Sequence, residues 1–370
     1  MDALNYWIGF SLVKGIGAVR LRALLDYFGS LETAWNAPAD ALRAAGLSQK
    51  IVETLAQVRH GVDLPHFREN MQRKGITALT WDDENYPRRL KEIDQPPPVL
   101  YVRGTLGIED EVAVAIVGTR RVSAYGRQVA EELAAYLANS GVSVVSGLAR
   151  GVDTLAHQAA VKNGGRTLAV LGCGVDIIYP PENRKLGEDI IASGALISDY
   201  APGTPPEGVN FPPRNRIISG LSRAIVVVEA GETSGALITA SFAANQGREV
   251  FAVPGSIYAP GCIGTNRLIQ QGATPLLKME DVLQMLGMER AAEQSSARRA
   301  LPADELERKL LDALSSEPLH VDEIMLRTGL TIDKVSATLA LMELKGMVRQ
   351  VGGMNYVGIR ETPAHYSPEG

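Results

Sequence analysis

Four glycine-rich segments of this chain combine small residues, hydroxyls and arginines in a way suited to holding phosphate. They are Gly118-Thr119-Arg120-Arg121-Val122-Ser123-Ala124-Tyr125-Gly126, Ser146-Gly147-Leu148-Ala149-Arg150-Gly151-Val152-Asp153, Gly172-Cys173-Gly174-Val175-Asp176 and Ala230-Gly231-Glu232-Thr233-Ser234-Gly235. Glycine lets the backbone approach an anion closely, and a helix start that follows turns amides toward it. The arginines are Arg120, Arg121, Arg127 and Arg150, with Arg214 and Arg216 in Phe211-Pro212-Pro213-Arg214-Asn215-Arg216. Guanidinium forks match phosphate oxygens. A single arginine is as readily explained by a structural ion pair. Several on one edge repel one another unless an anion sits among them. A phosphorylated ligand is therefore expected. Phe211 either staples its loop or offers a face on which a base stacks.

Which phosphorylated ligand is narrowed by what the loops lack. No segment matches Gly-x4-Gly-Lys-Ser/Thr, and Gly118-Thr119-Arg120 lacks the further glycines of a dinucleotide fingerprint. Neither a nucleotide cofactor nor a metal is expected. A hydrolase triad of Ser146, Asp153 and His157 is disfavoured because Ser146 lacks the Gly-x-Ser-x-Gly elbow. Asp153 is read instead as a helix N-cap and His157 as a helix-face residue. The chain is expected to be a binding protein and not an enzyme.

The elements that must position these loops are legible as alternating patterns. β-branched apolar runs at 112–117, 142–146, 167–171, 195–198, 224–229 and 249–253 alternate with helical stretches. That alternation predicts βαβ units around a mostly parallel sheet covered on both faces, an α/β, Rossmann-like doubly wound domain. In such a sheet the ligand sits beyond the carboxyl ends of the strands, where all four glycine-rich segments fall. Before it, short amphipathic helices are predicted from about 12 to 78. Val13-Lys14-Gly15-Ile16-Gly17-Ala18 there reads either as a helix-hairpin-helix turn or as a plain turn between helices. Residues 81–104, with Pro96-Pro97-Pro98, read as an extended, linker-like stretch. After it, three helical patterns and a hairpin around Gly352-Gly353 predict a winged helix. The expected division is a helical domain over 1–80, an extended Rossmann-like domain over 81–287, a linker over 288–302, a winged helix over 303–360 and a tail over 361–370.

Composition bounds the partners. With 370 residues, 45% hydrophobic and 21% charged, the chain can build more than one core. Two cysteines, Cys173 and Cys262, do not make a disulfide framework, and no run approaches a membrane span or a secretory signal, so a cytoplasmic location is expected. The net charge of −5 is unlike a nucleic-acid binder that relies on overall basicity. Any DNA contact must rest on a local concentration of cations.

The motifs carry a family resemblance. Ile116-Val117-Gly118-Thr119-Arg120 with Ser123 and Tyr125-Gly126, and Ser146 to Asp153 with Ala156-His157, resemble the DNA-processing protein A family, DprA or Smf. So do Phe211-Pro212 with Arg214-Asn215-Arg216-Ile217-Ile218, Ser234-Gly235 with Thr239-Ala240, and Val253-Pro254-Gly255 with Gly264-Thr265-Asn266. The resemblance spans about 86–273. It implies single-stranded DNA binding in natural transformation and recombination, protection of incoming DNA, and loading of the RecA recombinase onto strands coated by single-strand-binding protein. It also implies a homodimer through the Rossmann-like domain, with no membrane contact. The DNA-binding residues expected from the loops and the resemblance together are Gly118, Thr119, Arg120, Ser123, Tyr125, Gly126, Ser146, Gly147, Arg150, Phe211, Arg214, Asn215, Arg216, Ser234 and Gly235. Arg120 would grip a phosphate, and Phe211 would lie against a base. Gly208 stands where relatives often carry a lysine, so a phosphate contact is either missing or supplied by a group such as Arg214.

Two rivals remain. A nucleotide phosphoribohydrolase of the lysine-decarboxylase-like family shares this sheet, but its Pro-Gly-Gly-x-Gly-Thr loop is replaced here by Gly231-Glu232-Thr233-Ser234-Gly235-Ala236. A duplex-DNA regulator would use the winged helix, whose third helix balances Asp333 and Glu343 against Lys334 and Lys345.

Overall fold

The computed structural model describes residues 2–288, 304–314, 318–344 and 347–358. The chain divides into two compact units, residues 1–287 and 288–370.

The first unit is built on a nine-stranded sheet. Its strands are β1 (Ile76–Thr80), β2 (Val99–Gly104), β3 (Ala113–Val117), β4 (Ser143–Ser146), β5 (Thr167–Val170), β6 (Ala195–Ser198), β7 (Ala224–Val227), β8 (Glu249–Ala252) and β9 (Thr274–Pro275), in the order β1-β2-β6-β5-β4-β3-β7-β8-β9. The run from β6 to β9 is parallel, while β2 pairs antiparallel with both β6 and β1. Every residue of β3, β4, β5, β6 and β7 is buried, as expected for strands covered on both faces. The expected doubly wound α/β architecture is borne out.

Right-handed crossovers place α8 (Ala124–Asn139), α9 (Val152–Lys162) and α10 (Arg184–Ser193) over one face, and α11 (Phe211–Leu221) and α12 (Gly235–Asn245) over the other. Within these layers α8 packs on α9, α9 on α10, and α11 on α12. The chain leaves β3 in one direction through β4, β5 and β6, then returns to add β7 on the other side of β3. The topological switch therefore lies between β3 and β7, where a crevice opens beyond the strand ends.

Six helices precede the sheet: α1 (Ala3–Ser11), α2 (Ala18–Phe28), α3 (Leu31–Asn36), α4 (Ala39–Ala44), α5 (Gln49–Gly61) and α6 (Leu64–Arg73). The expected boundary near 80 does not separate them from the sheet. β1 lies inside the expected helical segment yet forms the sheet edge, and one hydrophobic core runs from Trp7 and Leu24 through Leu100 to Leu168 and Ile225. The Tyr101 hydroxyl in β2 meets the Ser11 hydroxyl at the end of α1 at 2.6 Å.

The stretch read as linker-like is also structural. It contains α7 (Arg88–Lys91) and β2, buries Trp81, Tyr86 and Leu90, and Tyr86 donates to the Pro97 carbonyl at 2.8 Å. Its prolines end elements that belong to the sheet layer. Helices α13 (Ile263–Gln270) and α14 (Glu280–Met285) close the unit.

The second unit has α15 (Glu305–Ala313), α16 (Val321–Thr328) and α17 (Ile332–Leu344), with a small antiparallel sheet in which β12 (Asn355–Gly358) lies between β10 (Leu319–His320) and β11 (Val348–Gln350). Leu310, Ile324, Val335, Leu339, Met342 and Val348 form its core. This is the expected winged helix. The expected linker over 288–302 and the tail over 361–370 lie outside the described residues, apart from residue 288.

All three tryptophans, Trp7, Trp35 and Trp81, sit in the helical layer or at the end of β1, far along the chain from the sheet's centre. Leu168→Ala removes a fully buried side chain of β5 and should cost about 2–5 kcal/mol. Because the core is shared, the urea midpoint followed by tryptophan fluorescence should fall with the midpoint followed by circular dichroism. A tryptophan transition left at its wild-type midpoint would mean that the helices fold separately.

Candidate nucleic-acid interface

The loops beyond β3 and β7 are joined directly. The Thr119 amide donates to the Glu229 carbonyl at 2.7 Å, and the Thr119 carbonyl accepts from the Val152 amide at 3.2 Å. Gly118 and Gly151 are required by this closeness. A Cβ at Gly118 would lie 2.5 Å from Val152, and one at Gly151 would lie 2.3 Å from the Thr119 oxygen, with φ already at +78°. The loop is thereby pinned while Arg120 and Arg121 project outward. Both are exposed, and neither enters an ion pair or a side-chain hydrogen bond among the described residues.

Ser123 caps α8 by accepting from the Gly126 amide at 3.0 Å. Its own amide and hydroxyl donate to Glu229 Oε2 at 2.9 and 3.0 Å. Glu229 is buried, and a Cβ at Gly126 would come 2.2 Å from the same oxygen. This carboxylate locks the arginine loop to the end of β7. Its importance lay outside the sequence reading, because a glutamate after an apolar strand carries no pattern that announces a loop clamp.

Beyond β4, the chain turns through Leu148, a non-glycine residue at φ +56°. Such a conformation persists only where surroundings impose it. Asn183 donates to the Leu148 carbonyl at 3.0 Å, and Asp153 accepts the amides of Gly147 and Ala149 at 3.1 and 3.3 Å. Asp153 was expected as an N-cap, but Gly151 holds that position, and Asp153, the second residue of α9, folds the loop back onto the helix. His157 is wholly buried beside Thr167 at 2.6 Å. The Thr167 hydroxyl donates to the Val144 carbonyl, so the imidazole Nδ1–H is the donor to Thr167.

Arg214 is only 5% exposed. Its Nη1 donates to the Gly147 carbonyl at 2.9 Å and to the Val170 carbonyl, bridging the ends of β4 and β5. A Cβ at Gly147 would lie 2.8 Å from both Arg214 and Asp153, so the two charges are neighbours. Burial lowers the guanidinium from its ordinary value, with Asp153 opposing the shift. Of the two alternatives for the lysine position at Gly208, replacement by Arg214 is the less favoured, because its Nη1 is committed to carbonyls at the strand ends.

Other expected residues are also placed elsewhere. Ser146 is fully buried, donating to the Ile116 carbonyl at 2.6 Å. Arg216 pairs with Asp199 at 2.9 Å and donates to the Gln95 carbonyl at 3.1 Å, lining a separate recess toward the α1–α2 turn. Arg150 is exposed but paired with Glu182, Arg127 pairs with Glu131 at 3.6 Å, and Tyr125 is exposed with its hydroxyl on the Pro254 carbonyl at 3.3 Å. Of the expected set, Gly118, Thr119, Arg120, Phe211, Arg214, Asn215, Ser234 and Gly235 come together along one open groove of about 790 Å³. Gly147 and Arg150 line a smaller pocket that shares Arg120, Phe211 and Arg214 with it. Ser123, Gly126 and Ser146 support these walls from behind.

Ser146 points into a carbonyl, and the Nδ1 of His157 is occupied by Thr167. In the β7 loop, Glu229 holds Ser123 and Glu232 pairs with Arg267 at 2.7 Å.

With this geometry in view, residues 77–287 match the family model described as DNA recombination-mediator protein A. The chain belongs to that family. A second model, the DprA winged helix domain, matches residues 294–354. Protein Smf of Synechocystis sp. is 39% identical, the match covering 95% of this chain and 98% of that protein. The structure of DNA processing protein A from Streptococcus pneumoniae is 35% identical with a TM-score of 0.67, covering 77% of this chain and 98% of its own. A structure of DNA processing protein A from Helicobacter pylori, described for its single-stranded DNA binding mode, is 31% identical with a TM-score of 0.52, covering 57% and 95%. The family match begins within β1, in keeping with that strand's place in the sheet. No helix among the described residues is long and apolar enough to cross a membrane.

Burial raises the Asp153 carboxyl to about 6 against the pull of Arg214, and burial with Arg214 lowers the His157 imidazole to about 3. Their linkage to folding has opposite signs. Below about pH 6 the folded state takes a proton at Asp153 that the unfolded chain takes only nearer its ordinary value of 3.8, so acid favours the fold through this group. His157 refuses a proton that the unfolded chain accepts below about 6.5, so acid disfavours the fold through that one. Asp153→Asn removes only the first contribution. Its urea midpoint should fall more steeply than wild type between about pH 6.5 and pH 4.5; parallel curves for the two proteins would contradict this balance.

Proposed function

We propose that the groove at the β3–β7 switch binds single-stranded DNA through its phosphates. The observation that carries this reading is the state of Arg120 and Arg121: two exposed guanidiniums without carboxylate partners, above a buried third cation, on an open groove. Arg120 acts electrostatically on Arg214 in the direction of repulsion. A polyanion lying across the groove relieves that repulsion, and the Asn215 side chain, which lines the groove, supplies a further donor. The groove of about 790 Å³ exceeds what a single nucleotide fills and suits a strand. The Helicobacter pylori relative, described for its single-stranded DNA binding mode, supports the same assignment.

On this reading the protein is a binding protein of DNA recombination, not an enzyme. The family resemblance extends the proposal to protection of incoming DNA in natural transformation and to loading of the RecA recombinase onto strands bearing single-strand-binding protein. It extends it also to a cytoplasmic homodimer. Of the expected DNA contacts, Arg120, Thr119, Gly118, Asn215, Ser234 and Gly235 are proposed to touch the strand directly, with Phe211 beneath its bases.

Phosphate contacts make affinity fall with salt, by about 0.7 in log–log slope per contact on a single strand. Arg120→Ala should weaken binding of a thymidine oligomer and flatten that slope by about 0.7. Arg127→Ala, which removes an exposed arginine paired outside the groove, should bind as wild type. Fluorescence anisotropy titrations at several salt concentrations read both effects, and an Arg120→Ala protein with wild-type affinity and slope would remove this groove as the site.

A further inference from the structure

We infer that Tyr179, not Phe211 alone, is the base-stacking platform of the groove, and that with Arg120 and Arg150 it forms a seat for one nucleotide of the strand. The inference rests on the single-strand reading above. Phe211 opens α11 but is only partly exposed. Its ring packs against the backbone of Gly172, where a Cβ would come within 2.7 Å, and lies 5.9 Å from the buried Arg214 guanidinium. Tyr179 stacks on it with ring centroids 5.8 Å apart and planes 27° from parallel. The pair thus extends a column that starts at a buried cation and ends in solvent.

Tyr179 is the solvent end. It is 40% exposed, and its hydroxyl has no hydrogen-bond partner among the described residues. A tyrosine held only to close a loop tends to bury its ring and satisfy its hydroxyl. This one leaves aromatic surface at the junction of the main groove and the smaller pocket that contains Arg120, Arg150 and the Gly147 backbone. A third plate added to the stack is a nucleobase, whose flat face needs no particular hydrogen-bond pattern. Its phosphate then falls beside Arg120, while Arg150 in the same pocket is held by Glu182. The ring is braced by Phe211 and followed by the buried Pro180, so stacking orders little that is not already ordered.

The test uses the full chain with a thymidine oligomer and an abasic oligomer of equal length and charge. Tyr179→Leu keeps the bulk that covers Phe211 but lacks a π face; Tyr179→Phe keeps the face and drops the hydroxyl. Tyr179→Leu should bind the thymidine oligomer on the order of tenfold more weakly, bind the abasic oligomer within about twofold of wild type, and keep the wild-type salt slope. Tyr179→Phe should match wild type on both. Equal loss on both oligomers, or no loss on either, overturns the inference, since the residue would then shape the loop or lie off the path. As a readout independent of affinity, 2-aminopurine placed along the oligomer should be quenched by wild type and Tyr179→Phe at a position where Tyr179→Leu leaves it bright; identical profiles would again overturn it. Failure of the underlying reading looks different: the wild-type protein would not bind the thymidine oligomer, or Arg120→Ala would leave binding unchanged.

Discussion

A buried guanidinium organises this site. Arg214 enters the space beneath the groove from the first turn of α11 and donates to carbonyls at the ends of two adjacent parallel strands. A charge this deeply buried is tolerated only where oriented dipoles and an opposite charge surround it. The strand-end carbonyls and Asp153 supply both. The consequence is mechanical as well as electrostatic: α11 is tied to β4 and β5, which puts Phe211 and Asn215 at the groove. Asp153 meanwhile binds the β4 loop to α9. Groove floor and groove walls are thus parts of one charged cluster.

That arrangement explains how an acidic chain can present a cationic surface. Most arginines near the sheet edge are neutralised locally, by Glu131, Glu182, Asp199 and Glu232. Arg120 and Arg121 are left over, and the buried Arg214 adds to the potential beneath them. Positive charge is concentrated at this loop, while the net charge of −5 limits adhesion elsewhere. Glu229 is essential to this concentration without contributing to attraction. By taking both donors of Ser123, it fixes the loop that carries the two unpaired cations.

Much of the fold was legible in the chain. Parallel strands buried on both faces read as unbroken apolar runs, so β3 to β7, and β8 beside them, were recognisable within a residue or two, and the rule that ligands lie beyond their carboxyl ends directed attention to the loops that line the groove. The N-terminal part was less transparent. β1 and β2 are antiparallel additions among turns and prolines, and their place in the sheet depends on the pairing of β2 with β6, nearly a hundred residues later. Local pattern has no access to that contact, so a structural edge resembled a linker.

At the site, residue types and local spacing were enough to single out the loops that carry glycines, hydroxyls and arginines after successive strands. They could not say which arginine faces outward. Arg214 and Arg216 are two positions apart on a helix, so one turns under the sheet and the other away from the groove, and only packing distinguishes them from Arg120. Tyr179 and Glu229 were hidden for the same reason. Each touches a partner distant in sequence, Phe211 in one case and Ser123 in the other. The chain by itself determined its strands, its anion-seeking loops and its family. The tertiary structure alone decided which charges are cancelled, since cancellation depends on distances of a few ångströms between segments that the sequence keeps far apart.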